Sequence, residues 1–158
     1  MTGWRLVKAP LAATAFDGEG ARRHGGRWSS PGVRVIYAAE HLSLAALEVL
    51  VHLHYAAVLR SYVAVDVEFD ADLVTEVDTS TLPASWRAYP VRPELQVIGN
   101  EWVASGRSVI LRVPSAIVPV ERNILINPAH PQFESVKLGR PRSFDFDVRL
   151  LRSAGPED

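Results

Sequence analysis

Cysteine is absent from these 158 residues. Disulfide staples, thiol nucleophiles and cysteine-based zinc sites are thereby excluded together. No apolar stretch is long enough to span a bilayer, and no charged segment followed by an apolar one marks a signal peptide at the N-terminus. Charge of one sign is also missing: the net charge is −1, so there is no broad positive field of the kind that holds nucleic acid by counterion release. Hydrophobic residues make up 47% and charged residues 22%, enough apolar content to offset the entropy of ordering a single core. There is no internal repeat, no low-complexity tract and no linker between two domains. A fold over residues 1–152 with a flexible tail from Ser153 is expected.

About seven short strands, eight with one weak candidate, and two main helices can be read along the chain. The strands are expected at Trp4–Val7, Val33–Ala39, Ser61–Phe69, Leu73–Val77, Ser108–Val113, Arg122–Ile126, Phe133–Leu138 and Phe144–Leu150, the fourth being the weakest. Val63, Val65, Val67 and Phe69 alternate with Tyr62, Ala64, Asp66 and Glu68, the signature of a half-buried strand. Ser43 can cap a helix from Leu44 to about Leu59, with Leu44, Leu47, Val51 and Tyr55 as its buried face. Pro93 suits the first turn of a helix that ends near Ser105, with Gly106 as its stop. The glycine-rich stretch from Asp17 to Pro31 reads as loop. Helices and strands do not alternate regularly. The fold class is therefore α+β, a single domain with a mainly antiparallel twisted sheet.

The residues offer few chemical constellations. Gly18 and Gly20 suggest a dinucleotide fingerprint, but Arg23 stands where the third glycine is required and no strand leads directly in. The pair Gly25-Gly26 before Arg27 and Trp28 allows close backbone approach to a ligand, with a guanidinium that can fork onto phosphate; a surface turn with a solvated arginine is the plainer reading. Glu48 lies on the apolar face of its helix. It is either the carboxylate of a pocket or a structural partner of His52 one turn on. His41, His52 and His54 do not form the two-histidine zinc helix, and no metal site is expected. Tyr37 in its strand and Ser108 at the start of another read alone as sheet filler and turn residue. No nucleophile elbow is present, which leaves a serine hydrolase without support.

Taken together, these scattered residues resemble one family. The likeness runs through Gly18–Gly32, Val35–His52, Ile98–Trp102, Ser105–Ser115, Asn127–Pro131 and Phe144–Leu150, in order over nearly the whole chain. It is to the RES domain, named for an arginine, a glutamate and a serine, here matched to Arg27, Glu48 and Ser108. Ser29 stands where many relatives carry asparagine after Arg-Trp, so a small polar group is retained. The resemblance implies an ADP-ribosyltransferase-like fold and a toxin of a toxin–antitoxin pair acting in the cytoplasm. It further implies that NAD is the substrate, cleaved at the nicotinamide–ribose bond without a metal. The partner it implies is a helical, DNA-binding antitoxin of the Xre type that covers the active site. A toxin dimer within the complex stays open, and neither membrane nor direct nucleic-acid binding is implied.

In that frame Arg27 would clamp the diphosphate and Tyr37 would pack on the nicotinamide. Glu48 would stabilise the ribosyl cation or orient the nucleophile, and Ser108 would fix the nicotinamide amide or the ribose. Arg5 is a further phosphate contact, and Asn127 a loop organiser. Transfer of ADP-ribose to a specific protein and a catalytically inactive, partner-binding module are the alternatives.

Overall fold

The structure is a computed structural model that describes residues 1–52 and 61–151. Its strands are β1 (Thr2–Lys8), β2 (Ile36–Ala39), β3 (Tyr62–Glu68), β4 (Val74–Glu76), β5 (Ile110–Pro114), β6 (Arg122–Ile126), β7 (Lys137–Leu138) and β8 (Arg142–Phe144). The α-helices among the described residues are α1 (Glu19–His24), α2 (Leu42–Leu50) and α3 (Pro93–Ser105). The strands form one sheet in the order β4-β5-β6-β2-β1-β3-β7, with β8 also on β3. All pairs are antiparallel except β4–β5. The expected α+β class with a mainly antiparallel sheet is what the chain adopts.

Local sequence explains most elements. Helix α3 starts on Pro93, whose missing N–H would be unpaired there in any case, and stops where Gly106 takes φ 56° in the left-handed region. Strand β3 is covered on both faces rather than one, because Val67 enters one core cluster while Tyr62 and Ala64 enter another. Helix α1 falls inside the stretch expected to be loop. It is short, and Glu19 in its first turn collects Arg22 and Arg34 at 2.8 and 2.6 Å.

Three further expectations are corrected. Helix α2 begins after His41, not Ser43, and its buried stripe is rotated. Leu44 and Ala45 are buried, whereas Leu47 and Val51 are exposed. The remainder of the expected helix, including Tyr55, lies outside the described residues, as does the tail from Ser153. The last strand is not Phe144–Leu150 but Arg142–Phe144, followed by a 3-10 turn at Val148–Leu151. Phe146 leaves the ladder to pack edge-on against Tyr62 at 5.4 Å. Phe133–Ser135 is likewise a 3-10 turn, and only Lys137–Leu138 extends as strand.

Strand register places the two main helices on one side of the sheet. Leu111 pairs with Leu125, Val113 with Asn123, and Asn123 with Ala39, so these side chains share a face. Under α3 that face is filled by Leu95, Trp102, Leu111, Val113 and Leu125. Under α2 it is filled by Leu6, Ala39, Leu44 and Ala64. Between the helices the sheet itself opens. Every residue of β1 pairs with β3, but β1 meets β2 only at Trp4–Ala39.

Helix α3 is tied to the glycine-rich loop by contact too close for a side chain. A Cβ on Gly99 would lie 1.7 Å from the Trp28 carbonyl oxygen. Gly99→Ala is therefore expected to cost about 3 kcal/mol by forcing helix and loop apart. Thermal unfolding should show a melting temperature lowered by roughly 6–12 °C. An unchanged melting temperature would mean that α3 does not sit on Trp28.

Candidate active site

A cavity of about 590 Å3 lies over β1 and β2, between α2 and the glycine-rich stretch. Its walls include Arg5 from β1, Gly25 and Gly26 from the loop, Tyr37 and Ala39 from β2, Ala45, Glu48, Val49 and His52 from α2 and its end, and Asn123 from β6. A cavity of this size lined mainly by apolar groups with a few convergent polar ones is the usual form of a small-molecule site.

Glu48 projects from α2 over the sheet. Its Oε1 accepts hydrogen bonds from Asn123 Nδ2 at 2.6 Å and from Ser115 Oγ at 3.0 Å. His52 lines the same cavity but makes no hydrogen bond to Glu48 among the described residues, so the simple glutamate–histidine pair is not what the fold builds. The carboxylate is instead fixed by two donors from the sheet side, which leaves Oε2 for the cavity. Ser115 is fully buried at the end of β5, and its hydroxyl oxygen also accepts from Ile117 N and Val118 N. It holds the turn after β5 and the glutamate with one group.

Tyr37 presents its ring to the cavity and has its hydroxyl anchored in the loop. The hydroxyl accepts from Trp28 N at 3.1 Å and shares a hydrogen bond with Ser29 Oγ at 2.9 Å. Burial pushes the phenol above its ordinary value, partly offset by those two bonds, so Tyr37 is neutral through the physiological range. Gly26 is required for this packing, since a Cβ there would meet the Tyr37 hydroxyl at 2.6 Å. The loop is in turn held by α3. Gln96 Nε2 donates to Gly26 O at 3.0 Å, while Asn100 bonds both the backbone and the hydroxyl of Ser30.

Arg5 lies in the gap between β1 and β2. Its Nη1 donates to the Tyr37 carbonyl and so bridges the parted strands, while its Nε is buried without a partner among the described residues. Burial pushes Arg5 down to about 10, against the opposing pull of Asp17, and the group stays cationic at neutral pH. Arg27 stands to the side of the cavity. Its Nη1 donates to Trp86 O at 2.7 Å and to Ala88 O at 3.2 Å. Burial lowers its pKa, and the charge of Glu48, near enough to be felt, raises it.

Of the residues singled out from the sequence, the fold thus brings Arg5, Tyr37 and Glu48 to one cavity, with Arg27 beside it. Ser108 is not brought there. It is buried against Trp102 of α3, where its hydroxyl donates to Ile110 O at 2.8 Å and accepts from Trp102 Nε1 at 2.9 Å. The serine that reaches Glu48 is Ser115. Asn127 is buried and receives the Ala129 N–H at 3.0 Å, the expected organiser of its turn. Asn123 escaped the sequence reading. Its one signal is a β-unfavourable residue next to the apolar run Ile124–Ile126 of an interior strand. Among the described residues no three of His, Asp and Glu gather as metal ligands would, and no helix is long and apolar enough to cross a membrane.

The RES domain family model matches residues 2–147. The chain belongs to the RES domain family. Curated relatives include the Prs ADP-ribosylating toxin of Sphingobium sp. (strain YBL2), 36% identical over 96% of this chain and 97% of that protein. Toxin Res of Yersinia enterocolitica is 36% identical over 93% of this chain and 97% of its own. Among solved structures, the Mycobacterium tuberculosis MbcT–MbcA toxin–antitoxin complex contains a chain that aligns with a TM-score of 0.75 at 21% identity. The alignment covers 91% of this chain and 84% of that one. The RES fold is thus shared.

Removing the Ser108 hydroxyl strands the Trp102 indole N–H in the core. Ser108→Ala should cost about 1–3 kcal/mol of stability. Denaturant unfolding should register that loss while the affinity of the cavity for its ligand is unchanged. A changed affinity at unchanged stability would return Ser108 to the site.

Proposed function

We propose that this RES protein is the toxin of a toxin–antitoxin pair and that its cavity binds NAD and cleaves the nicotinamide–ribose bond. The observation that carries the reading is the convergence of a bound carboxylate, a neutral tyrosine ring and a buried cation on one cavity, Glu48, Tyr37 and Arg5. These are the groups that the reaction asks for. Nicotinamide departs as a neutral base with the electron pair of the glycosidic bond, and positive charge develops on the ribose. The transition state resembles that of glycoside hydrolysis. Glu48 Oε2 faces that charge, in a site where preorganised electrostatics outweigh what water offers. Tyr37 packs against the nicotinamide ring. Arg5, and Arg27 through the guanidinium N–H groups not bound to Trp86 and Ala88, meet the diphosphate. An acceptor then attacks the ribosyl carbon and gives up its proton.

The acceptor is water or phosphate in this reading. Transfer to a protein target is the second reading, favoured by the printed name of the Sphingobium relative. The partner is a helical, DNA-binding antitoxin of the Xre type that covers the cavity. The toxin–antitoxin complex among the structural neighbours and the exposed Leu11 at the cavity wall support such a cover. The near-neutral toxin has no field to bind a promoter itself.

Purified protein freed of antitoxin should release nicotinamide from NAD, followed by chromatography. Parallel reactions in water, with phosphate and with labelled NAD plus a cell extract identify the acceptor. Glu48→Gln keeps an Oε1 acceptor for Ser115 and Asn123 and should fold normally. Its kcat should fall roughly 100-fold with KM changed only a few-fold. No release from folded wild-type protein with any acceptor would end the enzymatic reading, and a fully active Glu48→Gln would make the carboxylate structural.

A further inference from the structure

The one polar atom of the cavity's sheet floor that the reading above leaves idle is Asn123 Oδ1. It is buried and has no hydrogen-bond partner among the described residues. The orientation of the amide is not arbitrary. An ionised carboxylate only accepts, so the atom that faces Glu48 Oε1 at 2.6 Å must be Nδ2. Glu48 therefore turns the carbonyl end of Asn123 the other way. The backbone leaves no freedom to relieve it, because Asn123 sits on an interior strand, paired with Ala39 on one side and Val113 on the other. A buried carbonyl without a donor is an acceptor waiting for one.

We propose that Asn123 contacts the substrate directly, its Oδ1 accepting a hydroxyl of the nicotinamide ribose next to the one accepted by Glu48 Oε2. The inference rests on NAD as the ligand of this cavity. Glu48 Oε1 is saturated by Asn123 and Ser115. The pair thus has two acceptors and no donor left over, Glu48 Oε2 at the cavity and Asn123 Oδ1 buried in the cavity's floor. A ribose supplies the complement, two hydroxyl donors on adjacent carbons. A nicotinamide carboxamide carries an acceptor as well as its donors and would leave that acceptor against two others. The arrangement also links recognition to catalysis: the residue that fixes Glu48 holds the same sugar on which Glu48 acts.

The test is a cycle between protein and ligand, read as Kd by calorimetry. Non-hydrolysable carbocyclic NAD, which keeps both hydroxyls of the nicotinamide ribose ring, is compared with its 2′-deoxy and 3′-deoxy forms on wild type and Asn123→Ala. The substitution should weaken the full analogue roughly tenfold. One of the deoxy forms should be weakened less than about twofold, because the group that Asn123 would accept is gone. Loosening of Glu48 would also spare one deoxy form, the one without the hydroxyl that Oε2 accepts. The cycle is therefore repeated in a Glu48→Ala background, where a direct Asn123 contact still spares one deoxy form and an indirect one leaves all three ligands equal. If Asn123→Ala does not fold, Asn123→Ser serves in its place, with a hydroxyl that can still donate to Glu48 and no carbonyl. An equal loss for all three ligands would overturn the direct contact while leaving NAD cleavage intact. Failure of wild type both to bind the analogue and to cleave NAD would remove the function and this inference together.

Discussion

The single backbone pair between β1 and β2, Trp4 with Ala39, is the constraint on which the site depends. An antiparallel sheet gains by zipping neighbouring strands along their length, and β1 does so fully with β3. With β2 it does not, and backbone groups that would have paired are left to other partners. Arg5 takes up one of them by donating to the Tyr37 carbonyl. The sheet is thereby parted and bridged by a cation at the same place. Helices α2 and α3 pack each over its own apolar cluster, and the cavity opens over β1 and β2 between α2 and the glycine-rich stretch that α3 holds.

The walls are stiff because the polar groups around them are tied in chains that end in secondary structure. Helix α3 holds Ser30 and Gly26, the loop holds the Tyr37 hydroxyl, and Tyr37 faces the cavity. On the other wall the end of β5 supplies Ser115 and β6 supplies Asn123, and both hold Glu48. A carboxylate fixed by two donors gives up little motion when it meets a developing charge, which is the condition for electrostatic preorganisation. Arg5 Nε and Asn123 Oδ1 are buried without a hydrogen-bond partner among the described residues.

Local chemistry made helix α3 legible, since Pro93 and Gly106 mark its ends without reference to anything distant. Glu48 and Tyr37 were visible because a carboxylate on an apolar face and a tyrosine in an apolar strand need an explanation. The serine was not decidable. Ser108 and Ser115 flank the same strand, and which end of β5 lies under α2 depends on the order β5-β6-β2, a nonlocal fact. Resemblance to the family offered an arginine, a glutamate and a serine but could not replace that geometry. Asn123 was hidden for the same reason, since its partner Glu48 is brought to it only by tertiary packing. The stripe of α2 was misread because Leu47 and Val51 fit a helical period yet face outward, while Glu48 and His52 turn to the cavity.

The central claim is that the opening between β1 and β2 is an NAD site with the nicotinamide ribose at Glu48. A crystal structure of the protein with carbocyclic NAD tests it most directly. The account expects the nicotinamide ribose within hydrogen-bond distance of Glu48 Oε2, the nicotinamide on Tyr37 and the diphosphate towards Arg5. An analogue seated elsewhere on the protein, or seated here with its ribose away from Glu48, would contradict it.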